Sequence, residues 1–259
     1  MLIRTLLSLA FLSLLTGTLE AKDDPFVGKW QLNRAKSNLT GMQLKIEDLG
    51  ANKYKITNGD VSTTITADGT DQNDQFGDTV SIAPKGSTNW RMVIKRGGKV
   101  VSSMTHTLLP DGVTQTIKGT DNRPDGSTSD YEVELKRVGG GTGWSGTWEE
   151  VKERDASLHE LDIEGYEDTG LTFKSPDYAD TVSMKFDGKD YKEAGPDEAS
   201  GGLFSGKRAD EHSLELTFKM KDQIIENRRY LVSPDGRTLT ITTHQSGQPH
   251  DQVSVYDKL

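Results

Sequence analysis

Trp90-Arg-Met-Val-Ile-Lys95 and Leu214-Glu-Leu-Thr-Phe-Lys219 decide the reading of this chain. In the first, Trp90, Met92 and Ile94 alternate with Arg91 and Lys95. In the second, Leu214, Leu216, Phe218 and Met220 alternate with Glu215, Thr217 and Lys219. A period of two marks strands with one face buried. The two stretches also match each other at an offset of 124 residues. That register continues without a gap through Val100-Val101 and Ile224-Ile225 to Pro110-Asp-Gly-Val-Thr-Gln-Thr-Ile117 and Pro234-Asp-Gly-Arg-Thr-Leu-Thr-Ile241. Gly28-Lys-Trp30 likewise recurs as Gly146-Thr-Trp148, and Asp68-Gly69 as Asp187-Gly188. A period this long reads as a tandem duplication of a domain.

Working outward, Arg96-Gly-Gly98, Asn58-Gly59, Asp187-Gly188 and the two Pro-Asp-Gly triplets sit between alternating segments. Glycine accepts positive φ and proline presets the turn, so these are hairpin punctuation. The mature chain shows no sustained helical period. Each copy reads as eight or nine strands joined by tight hairpins, which favours a closed antiparallel meander barrel. The expected organisation is a signal peptide at 1–21, a β-barrel at 24–138, a Gly-rich linker at 139–143 and a second barrel at 144–259. Each copy is expected to fold on its own.

Gly-x-Trp at the first strand of such a meander resembles the opening of lipocalins and other calycins. There the tryptophan packs across one barrel end beneath a basic residue of the last strand. The resemblance implies that Gly28 and Trp30, with Lys136 or Arg137, anchor the first barrel. Gly146 and Trp148, with Lys258, would anchor the second. The longer string Asp24-Pro-Phe-Val-Gly-Lys-Trp-Gln-Leu-Asn-Arg-Ala-Lys-Ser37 is similar to the opening of a group of secreted bacterial proteins of unassigned function. Asp187-Gly-Lys-Asp-Tyr191 and Gln252-Val-Ser-Val-Tyr-Asp-Lys258 extend that likeness. It implies a lipocalin-like barrel and export, and it implies no reaction. Asp71-Gln-Asn-Asp-Gln75 departs from the matching part of the second copy, so the middle strands of the first are the weaker expectation.

The N-terminus reads as an export signal: a positive start at Arg4, an apolar run from Leu6 to Leu15, and a small residue at Ala21. The run is too short to span a bilayer as a mature helix, and no later segment is long and apolar enough. A secreted or periplasmic protein with no integral membrane segment is expected. The 259 residues carry a net charge of −9, which argues against nucleic acid as a partner. The chain has no cysteine, which excludes a disulfide framework, a thiol nucleophile and a cysteine zinc site. Hydrophobic residues are 32% of the chain, so its cores must be small.

Motifs of catalysis or cofactor binding fail on inspection. Gly201-Gly-Leu-Phe-Ser-Gly-Lys207 has phosphate-loop spacing, but Arg208 stands where a Ser or Thr must hold magnesium, and no helix follows. Asp121-Asn-Arg-Pro-Asp-Gly126 approaches a calcium loop, but Arg123 occupies a ligand position. The five histidines, among them His159, His244 and His250, form no zinc motif, and there is no Gly-x-Ser-x-Gly elbow. No cofactor and no enzymatic activity are expected.

Two functions remain. In the first, the protein is a non-enzymatic binding module, each barrel a candidate site for a small, apolar ligand. The C-terminal stripe Leu214, Leu216, Phe218, Met220 would line that site. Arg228, in the mid-strand pair Arg228-Arg229, would face either an anionic ligand or a neighbouring carboxylate. In the second, the barrels are filled and serve as structural or protein-interaction modules of the cell envelope. The character of any protein partner is not written in the sequence.

Overall fold

The computed structural model describes residues 24–155, 159–195 and 201–259. The described residues are all β apart from a 3-10 turn at Arg34–Lys36. It forms two ten-strand antiparallel sheets, one a closed barrel and one nearly closed. The strand number therefore exceeds the eight or nine expected of each. The near-closed barrel is contiguous. It holds β2 (Gln43–Gly50), β3 (Lys53–Asn58), β4 (Val61–Thr66), β5 (Gln72–Asn73), β6 (Thr79–Pro84), β7 (Asn89–Arg96), β8 (Lys99–Leu108), β9 (Thr114–Asn122), β10 (Thr128–Gly139) and β11 (Gly146–Asp155). The closed barrel holds β1 (Gly28–Leu32) together with β12 (Glu160–Tyr166), β13 (Gly170–Ser175), β14 (Asp180–Met184), β15 (Tyr191–Ala194), β16 (Gly202–Asp210), β17 (Ser213–Met220), β18 (Gln223–Val232), β19 (Thr238–Gln245) and β20 (Gln252–Lys258).

This arrangement corrects the expected boundaries. Strand β1 does not join the strands that follow it. It pairs with β12 and β20, with Trp30 opposite Leu161 and Lys258. Strand β11 pairs with β10 and β2, with Trp148 opposite Arg137 and Leu44. The barrels are thus 43–155 on one side, and 28–32 with 160–258 on the other. Each Gly-x-Trp strand closes the barrel that its predicted copy does not contain. The physical reason lies in the segment 139–143. It is not a free linker but part of the turn between β10 and β11, which start pairing at Gly139 and Thr147. So short a connection makes β11 a hairpin partner of β10.

In the near-closed barrel a gap lies between β4 and β5. The Gln72 side chain bridges it, accepting from the Thr66 amide (2.8 Å) and donating to the Thr66 carbonyl (2.7 Å). This is the stretch, around Asp71–Gln75, where the two halves of the sequence stop matching each other.

The strand ends remote from the two tryptophans face each other across the barrels. Arg123 pairs with Asp177 at 3.2 Å, and Arg34 lies 3.5 Å from Glu153 and 3.4 Å from Asp155. The Gln248 side chain is buried between Gln43 and Asn58, accepting from the Gln43 amide (2.7 Å) and donating to the Gln43 carbonyl (2.9 Å). Such polar seams hold register more than they add stability.

Candidate functional site

The two anchors are built from the same parts. The Trp30 indole donates to the Phe26 carbonyl at 2.9 Å, and the Trp148 indole to the Trp144 carbonyl at 3.0 Å. Both indoles are fully buried. Lys258 lies 4.9 Å from the Trp30 ring centre, and the Arg137 guanidinium 4.1 Å from that of Trp148. These are the cation–π covers implied by the resemblance, but with the partners exchanged. Gly28 and Gly146 have φ of +144° and +141°. A Cβ there would lie 2.5 Å from Lys258 Cε and 2.4 Å from Arg137 Nη1. Glycine is needed because the cation lies over the strand where a side chain would begin. The sequence reading missed the aromatic two residues before each glycine. Phe26-x-Gly-x-Trp30 and Trp144-x-Gly-x-Trp148 were visible as a longer shared pattern. Phe26 is fully buried, and Trp144 stacks on Trp90 at 4.1 Å.

The expected ligand stripe lies inside the closed barrel. Leu214 and Leu216 are buried core, while Phe218 and Met220 are only partly buried. Phe218 tilts against Phe204 at 4.7 Å. Arg228 points inward opposite Leu216 and pairs with Glu226, and Arg229 is exposed. The cavity that remains, lined among others by Leu216, Arg228, Phe173, Phe204 and Tyr230, measures about 60 Å³. That is room for about two waters. Its far wall is acidic: burial raises the carboxyl pKa of Asp180 and of Glu193.

In the near-closed barrel, Tyr131 reaches from β10 across Gly119 to β8. A Cβ on Gly119 would fall 2.3 Å from the ring, and the hydroxyl lies 3.4 Å from Met104 Sδ and 3.3 Å from Ser102 Oγ. Arg96, which the sequence places where Met220 stands in the second copy, pairs with Asp78 through two bonds of 3.0 and 2.8 Å. It closes the lumen end as a structural ion pair. Deeper in, His106 is 8% exposed, and burial pushes its pKa down to about 4.

The histidines His244 and His250 do not meet; His244 pairs instead with Asp251 at 2.8 Å. Among the described residues no group of three or more His, Asp or Glu is placed to hold a metal ion. No family model, no curated protein and no solved structure matches this chain.

Proposed function

We propose that this is an exported, non-enzymatic scaffold: a rigid two-barrel body that acts through its outer surfaces and holds no ligand in its lumens. The observation that carries the reading is the filling of both barrels. Tyr131 occupies one, the Phe204–Phe218 pair and Arg228 the other, and the open ends face each other across ion pairs. Pockets for drug-sized ligands need about 300–1,000 Å³, well above the cavity left in the closed barrel. A broad polar concavity of about 770 Å³ on β7–β11 supports a role for the outside of the molecule. Its Arg91 and Arg154 have no carboxylate partner among the described residues. Kinship with lipocalin-like secreted proteins by duplication is part of the proposal, supported by the two cation-covered tryptophans. Export is supported by the sequence of the leader, which lies outside the described residues.

The test is a titration of the full chain with an environment-sensitive apolar probe, together with native mass spectrometry of protein purified from its host. The expected result is no saturable probe binding and no retained apolar molecule. Stoichiometric binding that is weakened by Phe218→Ala without unfolding overturns the scaffold reading and restores the ligand-binding one.

A further inference from the structure

The two strands that change barrels leave a cavity where the chain crosses. It measures about 240 Å³ and is lined, among others, by Leu32 and Arg34 from the β1 side, Leu39 from the crossing segment, Glu150 and Glu153 from β11, His159, and Tyr256 from β20. This is room for about eight waters. It opens between the facing ends of the two barrels, with Tyr256 packed on the closed barrel's core, and the apolar-probe test of the lumens does not depend on it.

Its charges do not balance. The one guanidinium, Arg34, is shared by Glu153 (3.5 Å) and Asp155 (3.4 Å), and Asp155 also bonds the His159 ring at 2.5 Å. The half-buried Glu150 side chain has no hydrogen bond or ion pair among the described residues. Burial, and then the neighbouring Glu153, push its carboxyl pKa up to about 7. The Tyr256 phenol, pushed up to about 12 mainly by burial, stays neutral beside it. An unpaired carboxylate in a cavity is costly until a cation arrives. The donor set does not suit a hard metal ion, which needs several oxygens converging on one point.

We propose that this seam binds a small organic cation, an ammonium carrying a short apolar tail. Glu150 holds the ammonium, with Glu153 behind it, and the tail lies against Leu32 and Leu39. Both barrels supply the walls, so the bound cation fastens the crossing.

The experiment titrates the full chain with n-butylammonium chloride at pH 6 and pH 8, with 1-butanol as the uncharged control, followed by calorimetry and amide chemical shifts. Saturable binding is expected, tighter by about tenfold at pH 8, where the Glu150 carboxyl is ionised. His159, bonded to Asp155, lines the same cavity, so Glu150→Gln is needed to assign the pH response to Glu150: it should abolish binding at both pH values while leaving the melting temperature unchanged or higher. Equal binding of 1-butanol, unaltered binding by Glu150→Gln, or no saturation overturns the proposal.

Discussion

The two tryptophan anchors follow one plan and differ first in how the chain reaches them. Trp148 enters its socket from β10 through a short turn, so its barrel is built from one unbroken segment, 43–155. Trp30 enters its socket from the other end of the molecule, and β1 pairs with strands more than a hundred residues away. Equal contacts thus close one barrel locally and the other only after nearly the whole chain is present. The difference teaches that a repeated motif defines a socket but not the strand that fills it. Connection length decides that.

The largest expected effect comes from removing β1. A chain lacking residues 24–33 should lose amide protection throughout 160–258 and keep it through 43–155. Loss in 43–155 instead would mean that β1 serves its own copy, and the exchanged topology would be wrong. The same comparison can be made at single residues. Trp30→Ala should destabilise the closed barrel, and Trp148→Ala the near-closed one, each by about 3–5 kcal/mol. Hydrogen exchange mapped along the sequence shows which barrel opens in each variant.

The barrels should also differ in their response to acid, because His106 is buried only in the near-closed one. Its folded pKa of about 4 lies below the ordinary value of 6.5. The unfolded chain therefore binds the proton first, and stability is complete above pH 6.5 and falls as pH drops towards 4. The loss approaches about 3 kcal/mol. Glu150 in the same barrel acts in the opposite sense, since its raised pKa makes its burial more costly as pH rises. Comparing His106→Gln with the parent at each pH by urea unfolding cancels that contribution. The parent should lose ground to the variant between pH 6.5 and 4; a constant difference would show that His106 keeps its ordinary pKa in the fold.

The all-β meander was legible because β7 and β17 alternate cleanly and their turns carry glycine. The inward turn of Arg228 was half legible, since one of two adjacent arginines must face inward; that Glu226 receives it required the fold. The ligand stripe misled because Leu214 and Leu216 look the same in sequence whether they line a cavity or fill a core. The exchange of β1 and β11 was illegible for a deeper reason. Both sockets present a glycine, a preceding aromatic and a covering cation in the same arrangement, so no local pattern distinguishes the two pairings. The clue was the shortness of the turn after Gly139, which composition alone presented as a linker. The Glu150 cavity could not be read either, because its walls come from β1, β11 and β20, which meet only after the exchange.

The finest difference between the anchors lies in the two glycines. Any Cβ at these positive φ values carries strain of about 1–3 kcal/mol. At Gly28 the added atom meets Lys258 Cε, the flexible end of a side chain that can swing out to water. At Gly146 it meets Arg137 Nη1 and, at 2.4 Å, the backbone oxygen of Gly140, which cannot move without opening the β10–β11 turn. Arg137 is itself fixed there, donating to the carbonyls of Gly112 (3.0 Å) and Gly143 (2.6 Å) as well as Ser145. Gly146→Ala should therefore cost more than Gly28→Ala, by about 1 kcal/mol. Removing the covers should keep the same order: Lys258→Met should cost under about 1 kcal/mol, the value of an exposed cation–π contact, and Arg137→Met more. Thermal melts of the four variants decide it. If Gly28→Ala proves as costly as Gly146→Ala, Lys258 is held in place as firmly as Arg137, and the two anchors are equivalent in rigidity as well as in parts.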